Sequence, residues 1–247
     1  MLNQLPAKYL MNKNILLYLL LYAISAGSGL SGQSGIDELH SSQIIRQELI
    51  KENQILFNGK VWRNLYSTIR GDQFLFGTEY LQGSLTINGI TFNNQNLNYD
   101  IYNDEVLIRK SPGSVVQLNK EMVDSFTLIF DFKTYRFKNT REDSLTGLDG
   151  FVKVLYSGKS ALYIKYRKEI EALAVEDKYD LFFRTYKLYF LERGIVNQVS
   201  GKSDFLKVLE GNKTQIKDYM KKNKLKVSKK EPESFVPVIR YYDSISQ

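Results

Sequence analysis

Between Gly83 and Val199 the chain alternates apolar and polar residues with a period of two, run after run, and turn-forming residues separate the runs. That period puts successive side chains on opposite faces of a pleated strand, so most of the chain is committed to sheet. "GSLTINGITF" carries Asn88-Gly89 between two β-prone runs, a pair suited to a two-residue hairpin because both turn positions require positive φ. "LNYDIYNDEVLIRK" follows with a turn at Asn103-Asp104, and "SPGS" at 111–114 interrupts the chain before "VVQL". "NKEMVD" reads as a short helical insertion, "SFTLIFDF" and "TYRF" as strands, and "REDSLTGLDG" as a polar loop. "FVKVLYSGKSALYIKYRKE" predicts a hairpin at Ser157-Gly158, with Leu162, Ile164 and Tyr166 alternating against Tyr163, Lys165 and Arg167. "YKLYFLERGIVNQV" repeats the arrangement around Glu192-Arg193-Gly194. No strand–helix–strand rhythm appears, which argues against a parallel sheet.

Helical patterns flank this region. "SSQIIRQELIKEN", Ser41 to Asn53, predicts a short helix with Ile45, Leu49 and Ile50 to one side. From Gly201 onward the period becomes helical. Ser203 is expected to cap "SDFLKVLEG", and Asn212 with Gln215 has the spacing of a capping box before "IKDYMKKNKL". A last helix is expected from Ser234, with Pro237 in its first turn and Phe235, Val238, Ile239 and Tyr242 forming one apolar stripe. The expected fold is α+β: a curved, predominantly antiparallel meander of hairpins, preceded by a short helix and closed by short C-terminal helices that pack on the sheet or on a partner. The plentiful aromatics, 17 tyrosines and 14 phenylalanines, suit such half-buried pleated surfaces.

The N-terminus addresses compartment. Lys8 and Lys13 precede "ILLYLLLYAISAG", which is 13 residues long where a membrane span takes about 20, and small residues follow. This is the order of a secretory signal peptide over 1–27, cut at Ala23/Ser25 or Ser25/Gly27 and followed by a flexible glycine- and serine-rich stretch to His40. The boundaries so drawn are a signal over 1–27, a mature N-terminus over 28–40, a β-rich domain over 41–200 and a helical segment over 201–247. The chain has no cysteine, so neither a disulfide framework nor a lipid-modified cysteine supports it, and packing alone holds the fold. The expected location is the periplasm or the outer-membrane and cell-surface region, with no membrane span left after cleavage.

Charge is concentrated at one place. The formal charge is +7, and loss of Lys8 and Lys13 with the signal would leave +5. Between Lys213 and Lys230 there are eight lysines against Asp218 alone, so the rest of the mature chain is slightly acidic. Lys213, Lys217, Lys221, Lys222, Lys224 and Lys226 form a candidate basic docking face for phosphate-rich glycan or membrane headgroups, beside the simpler reading of a solvated helix face. The run lacks arginine and interleaved aromatics, which argues against nucleic acid.

Several chemical motifs fail on context. "GSGLSG", Gly27 to Gly32, matches a dinucleotide-binding pattern but sits at the signal boundary with no βαβ unit after it. Gly158-Lys159-Ser160 and Gly201-Lys202-Ser203 imitate the end of a phosphate-binding loop, but Lys153 and Val196 stand where its first glycine belongs. His40 is the only histidine, which leaves no triad or histidine metal site to build. Asp100, Asp104 and Glu105 lack the glycine and spacing of a calcium loop and read as turn chemistry. Glu142-Asp143, Glu169/Glu171 and Glu176-Asp177 are carboxylate pairs of the kind a glycosidase needs, with solvated loop residues as the simpler reading. Trp62 with Tyr66 offers rings for stacking on a sugar, against core or edge packing. No catalytic, cofactor-binding or metal residue is assigned.

The order of segments "FNGKVWRNLY", "GDQFLFG", "GSLTINGITFNN", "LNYDIYNDEV", "VVQLNKEMVDSFTL", "VLYSGKSALY" and "IKDYMKKNKLK", ending in "YYDSI", resembles a family of uncharacterised exported proteins of Bacteroidota over roughly residues 55–245. The resemblance implies an envelope location and carries no activity or site residue. The functional expectation is a non-catalytic envelope protein, an interaction or accessory subunit that binds a protein partner. A lipid or glycan carrier with a concave sheet ranks second, and a carboxylate-type hydrolase third.

Overall fold

A computed structural model describes residues 34–110, 113–140 and 148–246. The expected signal peptide and the "GSGLSG" stretch lie outside those residues, as do Glu142 and Asp143. The chain divides into two units, Met1–Glu52 and Asn53–Gln247. The described part of the first is helical. Helix α1 spans Ser34–Leu56, so it begins earlier than Ser41 and takes in residues expected to be a flexible lead. Of the side expected to be apolar, Ile45 and Ile50 are exposed, as is the neighbouring Ile44. Among the described residues no helix is long and apolar enough to cross a membrane.

Among the described residues of the second unit, eleven strands form one open antiparallel sheet: β1 (Gly59–Val61), β2 (Leu81–Ile87), β3 (Ile90–Asp100), β4 (Glu105–Arg109), β5 (Val115–Leu118), β6 (Val123–Phe130), β7 (Lys133–Asn139), β8 (Phe151–Ser157), β9 (Ser160–Val175), β10 (Tyr179–Glu192) and β11 (Ile195–Val199). Their spatial order is β1-β5-β4-β3-β2-β6-β7-β8-β9-β10-β11. The hairpins close where the chain can hold positive φ at consecutive residues. Asn88 and Gly89 (46° and 78°) and Arg193 and Gly194 (49° and 78°) do so as expected. Asp131 and Phe132 (49° and 56°) form the β6–β7 turn, although the sequence pattern "SFTLIFDF" predicts a strand through both. Glu176 and Asp177, which the sequence offered as a carboxylate pair, turn the long β9–β10 hairpin at 54° and 51°.

One connection departs from a simple meander. After β5, a 3-10 turn at Lys120–Met122 carries the chain back so that β6 pairs with β2, as in a Greek key. The Asn119 side chain accepts from the Glu121 backbone N–H to start that turn, and the Asn139 amide donates to the Lys120 and Val123 carbonyls at 2.9 and 3.0 Å. The sheet also curls, bringing the Lys168 N–H of β9 within 3.2 Å of the Ile101 carbonyl at the end of β3.

Two cores result. Inside the curl, Tyr99 meets Phe126, Phe137 and Phe151 at centroid distances of 5.2, 5.2 and 5.9 Å, and Phe126 stacks on Phe137 at 4.7 Å. The second core lies between β9–β11 and the C-terminal helices α2 (Lys202–Val208), α3 (Lys213–Lys222) and α4 (Val236–Ile245). Phe235, Val238, Ile239 and Tyr242 are all buried there, as their spacing requires. The helices thus pack on the sheet. Two expected caps do not form: α2 begins at Lys202 with Gly201 at its cap, and neither Gly201 nor Asn212 makes a side-chain capping bond. The last helix enters through a 3-10 turn at Pro232–Phe235, so its α portion starts at Val236 instead of Ser234. Asp243 secures α4 by accepting from the Ser160 backbone, the Ser160 hydroxyl at 2.6 Å and the Tyr156 hydroxyl at 3.0 Å. Ser160, from one of the two imitation phosphate loops, is thereby occupied within the fold.

Candidate functional site

The acidic turn after β3 splits into three environments. Asp100 is buried and accepts from the Tyr102 and Asn103 backbone N–H groups, both at 2.9 Å, and from the Asn103 amide at 2.8 Å. It is a turn residue in the sense expected. Burial pushes its carboxyl up, and those hydrogen bonds offset the effect only in part. Glu105 is also raised, by burial first and then by the neighbouring Asp100 charge.

Asp104 does more than shape the turn. Its carboxylate accepts from Lys120 Nζ and Lys165 Nζ, each at 2.8 Å, and from the Tyr99 hydroxyl at 2.6 Å. The Phe151 backbone N–H approaches it at 3.3 Å. Burial alone would raise the carboxyl, but the Lys165 charge and the hydrogen bonds from Lys120, Lys165 and Tyr99 outweigh it and hold Asp104 below its ordinary value. The Lys165 side chain is 7% exposed, and burial lowers its ammonium against the pull of Asp104. Lys165 also donates to the Asp149 carbonyl at 2.8 Å. A Cβ at Gly150, where φ is +78°, would stand 1.7 Å from Asp104 Oδ2, so only glycine leaves room for this carboxylate. Among the described residues no group of three or more metal-ligating side chains occurs. The partners from residues 99, 120 and 165 escape sequence reading. The one available signal is Lys165 within the otherwise apolar run "ALYIKY".

Other carboxylates stand apart. Glu169 and Glu171 are exposed on β9 and share a face, with Glu169 accepting from the Thr185 hydroxyl at 3.2 Å. The lysines of the candidate docking face fall on α3 and the turn after it. Lys217, Lys221, Lys222, Lys224 and Lys226 are exposed, and Lys213 is half-buried. Lys217, Lys221, Lys224 and Lys226 join Lys202 around an open depression of about 510 Å³ floored by Met220 and Leu225, whereas Lys213 and Lys222 lie outside it. No carboxylate pairs with these lysines among the described residues. Such a face attracts polyanions through a long-range, salt-screened field.

The β6–β7 tip is the feature that sequence reading missed entirely. Ile129 is 48% exposed, Phe130 38% and Phe132 103%, the last at a φ that bulky side chains seldom adopt. Phe130 stacks on Phe76 at 4.4 Å, and Phe76 in turn contacts Tyr135 at 4.6 Å, so the tip stands on a packed aromatic base. No family model matches the chain, and comparisons with curated proteins and with solved structures give no match.

Proposed function

We propose that this chain is an exported, non-catalytic accessory protein of the cell envelope that binds a protein partner and presents the β6–β7 tip to it. The observation that carries the reading is Phe132, fully exposed and held in the left-handed region. In the isolated chain its ring leaves water nowhere, and its backbone costs about 1–2 kcal/mol relative to a right-handed conformation. Burial of one such ring by a partner contributes about 1.5–3 kcal/mol. The stacked Phe76–Phe130 base supports the same reading, because a pre-ordered anchor loses little freedom when it is seated. The N-terminal sequence order and the resemblance to exported Bacteroidota proteins support the envelope location.

The test is site-specific photo-crosslinking in the native host, with the photoreactive residue at position 132 and, as a control, at exposed position 222. A discrete adduct at 132 that vanishes with Phe130→Ser is expected. The same adduct pattern from both positions would refute the tip as the contact. Mass spectrometry of the envelope fraction should find a mature N-terminus between residues 24 and 28, and an intact Met1 in the cytosolic fraction would refute export.

A further inference from the structure

The segment between β1 and β2 lies against the end of β3, where the Leu75 N–H donates to the Tyr99 carbonyl and the Ile101 N–H to the Gln73 carbonyl, both at 3.0 Å. It encloses with β4 a cavity of about 360 Å³ whose walls include Trp62, Tyr66, Gln73, Phe74, Tyr80 and Arg109. That volume lies near the lower end of the roughly 300–1,000 Å³ typical of small-molecule clefts. Trp62 is held by its backbone N–H to the Val115 carbonyl at 3.0 Å, and its ring lies 5.9 Å from that of Phe74. The Tyr66 hydroxyl donates to Asn103 at 3.1 Å, which fixes that ring as well.

One polar group at this cavity lacks the partner that burial demands. The Tyr80 hydroxyl is buried and makes no hydrogen bond. Gln73, only 2% exposed, lines the same cavity. A buried polar group without a partner is costly and rare in a folded chain, and one that faces a cavity calls for a ligand that bonds to it. Burial pushes the Tyr80 hydroxyl up to about 12 despite the opposing charge of Arg109, so it stays a donor at neutral pH. The Arg109 guanidinium lies 4.0 Å from the Tyr80 ring centroid and pairs with no carboxylate among the described residues. The acid in the lining, Asp72, is engaged with Lys168 at 3.0 Å and with the Phe74 N–H at 2.7 Å.

From these walls we infer that the cavity binds a uronic acid unit of an acidic oligosaccharide. The apolar C–H face of the sugar stacks on the half-buried Trp62, which Phe74 backs, its hydroxyls bond to the Tyr80 hydroxyl and the Gln73 amide, and its carboxylate takes the planar fork of Arg109. Arg109 is the one cationic side chain among the described lining residues, and one guanidinium matches one carboxylate rather than a polyphosphate. The site shares no residue with the β6–β7 tip, so either reading can fail without the other.

Trp62 is the only tryptophan in the chain, so its emission reports on the cavity directly. The folded chain is titrated with tetragalacturonate and with a hyaluronan tetrasaccharide, against maltotetraose as the uncharged control. A saturable change in Trp62 emission is expected with at least one acidic sugar and none with maltotetraose. Arg109→Gln should weaken that binding by about 10-fold or more, the loss of one charge-assisted bidentate contact. Tyr80→Phe should weaken it too while leaving the thermal midpoint unchanged or higher, since it removes a hydroxyl that has no partner in the free protein. Silence with both acidic sugars, equal affinity for maltotetraose, or unaltered affinity in Arg109→Gln would overturn the inference.

Discussion

Replacing Asp104 by Asn should cost more stability than replacing Lys165 by Met, although the two side chains form the same 2.8 Å ion pair. The difference comes from what each change leaves behind. In Asp104→Asn the Lys165 ammonium remains in a site where its side chain is 7% exposed, with only the Asp149 carbonyl and a neutral amide as acceptors. Lys120, at 27% exposed, can swing toward water and adds little to the loss. Stranding one buried charge costs about 3–5 kcal/mol, and the retained carbonyl places this variant at the lower end, about 3 kcal/mol. In Lys165→Met, Asp104 keeps Lys120 and the Tyr99 hydroxyl, so the expected cost is about 1–2 kcal/mol. The double variant removes both charges and should cost about 2 kcal/mol, giving a coupling energy of about 2–3 kcal/mol. Urea unfolding followed by circular dichroism measures all four corners of the cycle, with the denaturant slope unchanged. A coupling below about 0.5 kcal/mol, or Lys165→Met costing more than Asp104→Asn, would refute the picture of Asp104 as a buried charge hub.

Gly150→Ala should destabilise by at least about 3 kcal/mol in the same assay, because the new methyl group occupies the Asp104 carboxylate position on a backbone already at φ +78°. Phe132→Gly should do the opposite: it relieves about 1–2 kcal/mol of left-handed strain against a 0.4–1 kcal/mol entropy loss of roughly glycine size, and a fully exposed ring gives up no packing. The expected rise in thermal midpoint is about 1–4 °C, and a fall of that size would mean the ring is packed after all. On acidification, the lowered Asp104 carboxyl contributes stability that is present above the ordinary carboxylate range near about 4 and is lost as pH falls through its lower folded value. Asp100 and Glu105 run the other way, since their raised carboxyls cost stability at neutral pH and that cost is relieved as pH falls through their folded values. Urea midpoints across acid pH should therefore hold or rise before they drop, and Asp104→Asn should abolish its share of the final drop. Converting Lys217, Lys221, Lys224 and Lys226 to Gln should make the chain elute from a phosphate cation exchanger at lower salt, with stability changed by no more than about 0.5 kcal/mol.

The legible parts of this fold were those whose geometry is local. Asn88-Gly89 and Arg193-Gly194 could be read as turns because a dipeptide's own φ preferences decide them. The stripe of Phe235, Val238, Ile239 and Tyr242 could be read as a buried helix face because its i, i+3, i+4, i+7 spacing lines one side of two helical turns. Asp131-Phe132 was illegible for the converse reason: its residues prefer a strand, and the pairing of Phe130 with Lys133 across the hairpin overrides them. The helix caps were misread because Ser203 and Asn212 satisfy a local rule that the packing of α2 and α3 on the sheet does not use. Of the candidate sites, the lysine face was visible as a charge run. Asp104 was visible as an acid but not as a hub, because its partners come from a returning connection and from β9.

The sequence by itself determined the strand-dominated class, most of the turns, the helical C-terminus and the concentration of positive charge, all of which follow from periods and propensities of neighbouring residues. Only the tertiary structure decided that β6 returns to β2, that two lysines distant in sequence converge on Asp104, and that an unsatisfied tyrosine and a glutamine face one aromatic cavity. Those arrangements depend on which strands pair across long stretches of chain, a choice made by the free energy of the whole packed sheet and written in no single segment of it.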